Sequence, residues 1–322
     1  MIKKALYVLA SIVALIVCSG IYLYNYLVPD ATADNLVNHA TSRTISTGPI
    51  VGFNDKGVDA WLGMRYAQAP IGVLRWRAPK AAKKSPETVD ALSFGSACPQ
   101  SARGSEDCLF INVWSPENSK SLPVMFWIHG GGNSVGEAAT SIYDGSRLAR
   151  ENNVVLVSIN YRLGPLGWFR HPALRTNDTT PADNSGNYGT LDIILALQWV
   201  QENIQQFGGD ATNVTVFGES AGAFDTLSLM ASPLATGLFH KAISQSGYTQ
   251  EVSVDDAYNQ YGANDLIARG GWQIANKLID KPQADYSAEE LNQILKGTNA
   301  IEFMSLYKTS DLDFDKMPLA TV

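Results

Sequence analysis

Val214-Thr-Val-Phe-Gly-Glu-Ser220-Ala-Gly-Ala-Phe-Asp-Thr-Leu-Ser-Leu-Met230 changes its hydrophobic period within a few residues. The apolar run Val214–Phe217 suits a buried parallel strand, and Ala221–Met230 reads as a helix. Between them Gly218-Glu-Ser-Ala-Gly222 matches the strand-turn-helix setting of a nucleophile elbow. A turn this tight lifts the serine hydroxyl above the sheet, and its flanking glycines avoid collisions that larger side chains would make with neighbouring backbone. The Ala221 amide, at the helix start, is then placed to donate to a developing oxyanion. A second match, Gly132-Asn-Ser134-Val-Gly136, follows an apolar run but opens no helix pattern. Ser220 is therefore the candidate nucleophile, and Ser134 is expected to be a loop residue.

Four apolar runs read as buried parallel strands: Val124–Ile128, Val154–Ile159, Val214–Phe217 and Ala242–Ser244. A helix is predicted from Thr190 to Gln206, its broad apolar face made by Leu191, Ile194, Leu195, Leu197, Trp199, Val200 and Ile204, stopping at Gly208-Gly209. Alternating strands and helices predict an α/β fold with helices on both faces of the sheet. Upstream, Trp61–Ala67 and Arg75–Pro79 interleave Gly, Pro and aromatic residues, as short strands and turns do. Beyond Gly247 the chain turns polar, with a capping box at Ser287 and Glu290 and Gly297 at the far end of that helix. The composition of the 322 residues, 17% charged and 45% hydrophobic, excludes disorder, collagen and coiled coil. With 24 basic and 31 acidic residues, a net charge of -7 and no basic cluster beyond Lys80–Lys84, no nucleic-acid partner is expected.

The N-terminus differs. After Lys3 and Lys4, Ala5–Val28 is a run of 24 residues without a formal charge. As a helix it reaches roughly 36 Å, enough to cross a hydrocarbon core of about 30 Å. Residues 1–4 are then a cytoplasmic tip, 5–28 a signal-anchor transmembrane helix, 29–47 a polar tether and 48–322 an extracytoplasmic domain. Secretion after signal cleavage is the alternative. Export makes Cys98 and Cys108 available to pair, against the alternative of two buried free thiols. Neither the cysteines nor His39, His129, His171 and His240 have metal-site spacing. Asn177-Asp-Thr and Asn213-Val-Thr fit the glycosylation pattern.

The run Gly130-Gly131-Gly132 after His129 reads either as a simple turn or as amide donors turned toward a reacting carbonyl oxygen. Together with Ser220 the second reading prevails, because acyl transfer needs both parts in one fold. At this point two long stretches resemble the type-B carboxylesterases, cholinesterase-like α/β-hydrolases. Phe207–Gly222 is similar to their active-serine signature and Glu106–Pro116 to their second signature, around a disulfide cysteine. Tyr66 to Pro79, Trp127–Gly132, Asn160–Gly164, Gly186–Gly189 and Ala242–Gly247 match in order, so that the resemblance covers about residues 45–250. It implies an α/β-hydrolase fold, Ser220 as nucleophile, Gly131, Gly132 and Ala221 as oxyanion-hole donors and a Cys98–Cys108 disulfide. It also implies a small-molecule carboxylic ester as substrate, with no cofactor and no metal. The loop Pro99–Asp107 has no aromatic residue to hold a choline cation, which disfavours choline esters.

The family supplies its catalytic Glu and then its His far downstream of the serine. Here no histidine follows His240. His129 and His240 are weak candidates for a base, His39 and His171 are loop candidates, and Glu219 is expected to make a structural hydrogen bond rather than act as the acid. The expectation is therefore the N-terminal portion of a carboxylesterase domain lacking its Glu and His. A non-catalytic esterase-fold binding protein, or an inactive fragment, is the alternative.

Overall fold

The computed structural model describes residues 35–176, 178–249, 253–259 and 270–307. Ten strands occur among them: β1 (Arg43–Ile45), β2 (Gly48–Val51), β3 (Phe53–Asp55), β4 (Val58–Arg65), β5 (Val89–Asp90), β6 (Phe110–Pro116), β7 (Leu122–Ile128), β8 (Val155–Ile159), β9 (Gly209–Glu219) and β10 (Lys241–Gln245). The helices are α1 (Ser146–Asn152), α2 (Gly164–Gly167), α3 (Tyr188–Asn203), α4 (Ala221–Ala231), α5 (Val254–Tyr258), α6 (Gly271–Ala275), α7 (Ala288–Gly297) and α8 (Ala300–Ser305).

The main sheet has seven strands in the order β10-β9-β7-β8-β6-β4-β3. All four runs expected to be parallel strands are so: β10 pairs with β9, β9 with β7 and β7 with β8 in parallel. The other half, β8-β6-β4-β3, is antiparallel, so the sheet is mixed. Alternation along the strands feeds two cores. Val124, Phe126 and Ile128 join Val155, Val157 and Ile159 beneath α3, while Leu156, Trp114 and Ala60 pack with Ala149 of α1 on the opposite face. Helices thus cover both faces, and each large apolar side chain removed from water contributes about 1.5–3 kcal/mol. The predicted apolar stripe on α3 is nearly all-round, since Ile193 and Ala196 are buried too while Leu195 is only partly so. A third cluster packs Trp76, Phe169 and Tyr188 against Ile274, Leu295 and Phe303, which seats the polar C-terminal segment on the body. There α7 begins with the capping box of Ser287 and Glu290.

The tether expected through Thr47 is folded in its second part, because β1 pairs antiparallel with β2. Arg43 and Ile45 find partners there that no composition reveals: Ile45 enters the main core, and Arg43 lies over the Trp61 ring. The candidate membrane span Ala5–Val28 and the glycosylation candidate Asn177 lie outside the described residues. Among the described residues no helix is long and apolar enough to cross a membrane.

Two interior links hold the region around the sheet. Cys98 and Cys108 are buried and joined as a disulfide. Arg162, following β8, meets Asp192 of α3 through Nε at 2.8 Å and Nη2 at 2.7 Å, and its amide donates to the same carboxylate at 3.0 Å. Burial pushes the Asp192 carboxyl up, and Arg162 pulls the other way.

Removing Asp192 strands a buried guanidinium, so Asp192→Ala is expected to lower unfolding free energy by about 3–5 kcal/mol in urea melts. Replacing Cys98 and Cys108 by Ser opens a short loop and is expected to lower it by about 2–3 kcal/mol, measured against the oxidised wild type.

Candidate active site

At the end of β9 the chain turns sharply into α4. Ser220 is the N-cap, at φ 55° and ψ -116°. This is a conformation that a residue with a Cβ adopts only under constraint. The constraints are visible on both sides. The Ser220 amide donates to the Gln245 carbonyl of β10 at 2.9 Å, and the Ser220 carbonyl accepts from the Ala223 and Phe224 amides, each at 3.0 Å. Glycine is required at both flanks by close approach: a Cβ on Gly218 would lie 2.3 Å from the Gly222 oxygen, and one on Gly222 would lie 2.1 Å from the Ile128 oxygen.

The glycine run leaves the C-terminal end of the neighbouring strand β7 and passes directly by this elbow. A Cβ on Gly130 would come within 3.3 Å of the Ser220 Cβ. Gly131 and Gly132 have φ of 105° and 61°. Within the loop, the Gly131 carbonyl accepts from the Ser134 and Val135 amides, and the Gly132 carbonyl from the Ser134 hydroxyl at 2.9 Å. Among the described residues no group accepts from the amides of Gly131, Gly132 or Ala221. The structure therefore brings the predicted donors and Ser220 to one end of the parallel strands, with the carbonyls engaged and the amides open. Ser134 is buried in the loop and starts no helix, as expected.

The histidines are engaged elsewhere. His129 is buried, with Nδ1 2.8 Å from the Gly130 carbonyl and its ring stacked on Tyr161. Burial lowers its pKa to about 4, against the raising effect of that carbonyl. His171 Nε2 lies 3.0 Å from Gln283 Oε1, and its Nδ1 accepts from the Ala173 amide. His240 Nδ1 accepts from the Val214 amide at 3.2 Å, midway along β9 and just before β10, away from the β10 end that meets Ser220. His39 is exposed in a short 3-10 turn. Glu219 is exposed, and its carboxylate lies beside Gly130. Burial first, and then the Glu219 charge, push the Tyr143 hydroxyl up. Tyr143, Trp127 and Phe217 form an aromatic cluster, with ring centroids 5.1 and 4.8 Å from Trp127. Among the described residues no group of three or more His, Cys, Asp or Glu side chains is arranged to hold a metal ion.

Sequence reasoning missed three residues around this site: Asn133, Tyr161 and Asp225. Asn133 Nδ2 donates to Asp225 Oδ1 at 3.1 Å, and the Tyr161 hydroxyl lies 2.7 Å from the His129 carbonyl and 3.1 Å from Asn133 Oδ1. One signal was present. Asp225 interrupts an otherwise apolar helix start, and a charged residue on the face that packs against a sheet needs a partner.

The model of the carboxylesterase family matches residues 39–321. The para-nitrobenzyl esterase of Bacillus subtilis (strain 168) is 43% identical over 226 residues, 66% of this chain and 45% of that protein. The fumonisin B1 esterase of Sphingopyxis macrogoltabida is 44% identical over 215 residues, 63% of this chain and 39% of that protein. A solved thermophilic PNB esterase superposes with a TM-score of 0.72 at 34% identity, covering 84% of this chain and 54% of its own. The chain spans about half the length of the relatives it matches, or less. With the fold, the elbow and the glycine loop in place, the chain belongs to the carboxylesterase family.

Proposed function

We propose that this chain carries the nucleophile and the oxyanion-binding half of a carboxylic ester hydrolase. The observation that carries the proposal is the strained Ser220 turn facing a glycine loop whose amides meet no acceptor among the described residues. In that chemistry Ser220 Oγ attacks the ester carbonyl carbon and its proton passes to a base. Negative charge develops on the carbonyl oxygen, where the amides of Gly131, Gly132 and Ala221 receive it. Collapse expels the alcohol and leaves an acyl-enzyme, which water then hydrolyses to release the acid. Amide donors held in place before the reaction need no reorganisation as charge forms, and one such donor is worth about 3–4 kcal/mol.

The base is the part this chain does not supply from its own histidines, each of which is engaged away from Ser220 or exposed elsewhere. A serine hydrolase stripped of its triad retains about 10^3–10^4 over water from oxyanion binding and positioning. Slow ester hydrolysis, carried by the oxyanion donors and little changed by loss of Ser220, is accordingly the expected behaviour of these 322 residues by themselves. The substrate class is a small carboxylic ester, supported by the esterase names of the relatives. We place the domain on the extracytoplasmic side of a membrane. That placement is supported by the uncharged run Ala5–Val28 and by the Cys98–Cys108 bridge, which persists in oxidising compartments.

A fluorophosphonate probe is expected to label Ser220 of the purified full chain, located by peptide mass, and labelling should vanish in Ser220→Ala. Turnover of p-nitrophenyl acetate above the buffer rate, in wild type and in Ser220→Ala alike, is the matching kinetic result, because oxyanion binding does not need the serine. A folded chain without labelling, and with turnover no faster than buffer in both proteins, would favour a non-catalytic binding protein instead.

The buried His129 gives a pH dependence of stability. Its folded pKa of about 4 lies below the 6.5 of the unfolded chain, so unfolding takes up a proton between those values. Its contribution is complete above pH 6.5 and is lost as pH falls toward 4. Between pH 7.5 and 4.5, wild type should lose about 2–3 kcal/mol more than His129→Asn in denaturant melts.

A further inference from the structure

Asp225 lies on α4, five residues beyond Ser220, and is 1% exposed. Its Oδ1 accepts from Asn133 Nδ2, a bond that joins segments 92 residues apart in sequence. Asn133 directly follows Gly131 and Gly132, is also 1% exposed, and has a φ of 52°. Its backbone oxygen accepts from the Gly164 amide at 2.6 Å, and its Oδ1 lies within hydrogen-bond distance of the Tyr161 hydroxyl. The residue that ends the glycine run is thus held at three atoms, and one of its three partners belongs to the helix that carries the nucleophile.

The consequence is geometric. Two of the proposed oxyanion donors sit on the loop after β7, and the third sits at the start of α4. The backbone packing of Gly130 and Gly222 brings the two segments close, but van der Waals contact by itself defines the loop's position less directionally than a hydrogen bond does. A directional hydrogen bond from the loop to the helix adds that definition, and sub-ångström placement of donors decides how much they stabilise an oxyanion. Burial pushes the Asp225 carboxyl up to about 7, against Asn133 and the neighbouring Tyr161 hydroxyl. Near neutrality a large share of it is the uncharged acid, which this interior tolerates without an ion-pair partner.

We propose that Asp225 is a positioning residue: through Asn133 it fixes the Gly131–Gly132 loop against the Ser220 helix and so sets the distance between the two sets of oxyanion donors. The proposal rests on the esterase chemistry above for its purpose, but its structural content can be tested without turnover.

Amide hydrogen exchange on the full chain compares wild type with Asp225→Ala, Asp225→Asn, Asn133→Ala and the double alanine variant. Asp225→Ala should speed exchange in the peptide covering residues 130–136 about tenfold, the worth of one buried hydrogen bond. Exchange in the α3 peptide, residues 188–203, should stay unchanged. Asp225→Asn keeps the acceptor oxygen and should remain close to wild type. The double variant should match Asn133→Ala alone, as expected for two residues acting through one bond. Asn133→Ala breaks the same bond from the loop side, so the comparison stands even where Asp225→Ala does not fold. Unchanged loop exchange in both single alanine variants, or additive effects in the double one, overturns the proposal. Fluorophosphonate labelling of Ser220 in the same proteins separates the two ideas. Absent labelling in wild type with Asp225-dependent loop exchange refutes the esterase chemistry and upholds the link. Intact labelling with Asp225-independent exchange refutes the link alone.

Discussion

The contact on which the rest of the structure depends is the one between the start of the Ser220 helix and the end of strand β7. Gly222 packs so closely on the Ile128 carbonyl that no Cβ fits, and a Cβ on Gly130 would come 2.7 Å from the Glu219 carbonyl oxygen and 3.3 Å from the Ser220 Cβ. That contact exists only because β9 lies beside β7 in parallel, with Phe217 opposite Trp127 and Gly218 opposite Ile128. Parallel pairing brings the C-terminal ends of both strands to the same edge, where one ends in a glycine loop and the other in the elbow. The outer neighbour β10 completes the arrangement by accepting the Ser220 amide on its Gln245 carbonyl. Strain in the serine backbone is therefore over-determined by three adjacent strands, which is the condition under which such a conformation persists.

Around this contact the interior is polar in a selective way. Asp192 is buried with a guanidinium against it, so its charge is compensated where it stands. Among the described residues Asp225 and His129 have no ion-pair partner, and in both the neutral form gains, the carboxyl by holding its proton and the imidazole by losing one. The two arrangements serve different ends. The Arg162–Asp192 pair ties the loop after β8 to α3 within the core, whereas the Asp225–Asn133–Tyr161 chain reaches the residues that flank the reacting position. Hydrogen bonds in a low-dielectric interior are directional and costly to break, so they hold a loop more firmly than apolar contact does.

Much of the fold was legible because its signals are local. Val124–Ile128 and Val214–Phe217 are apolar at successive positions, as strands covered on both faces must be, and each lies within an observed strand. Ser287 and Glu290 announced their helix by a capping interaction that spans only three residues. The antiparallel half of the main sheet was not legible as a sheet, because Val58–Arg65 acquires its pairing from Phe110–Pro116, far along the chain. Arg43 has an ordinary polar side chain by composition, and only the Trp61 ring beneath it makes its place in the fold.

By itself the sequence determined the strand-turn-helix around Ser220, the glycine run after His129 and the α/β character of the core. Each of these follows from periodicity or from where a residue without a Cβ is unavoidable. The tertiary structure alone decided that the amides of Gly131 and Gly132 meet no acceptor among the described residues, that His129, His171 and His240 are engaged away from the serine, and that Asn133 meets Asp225. Those facts depend on which strand ends the sheet places side by side, and pairing between segments far apart in the chain leaves no trace in the local pattern of either.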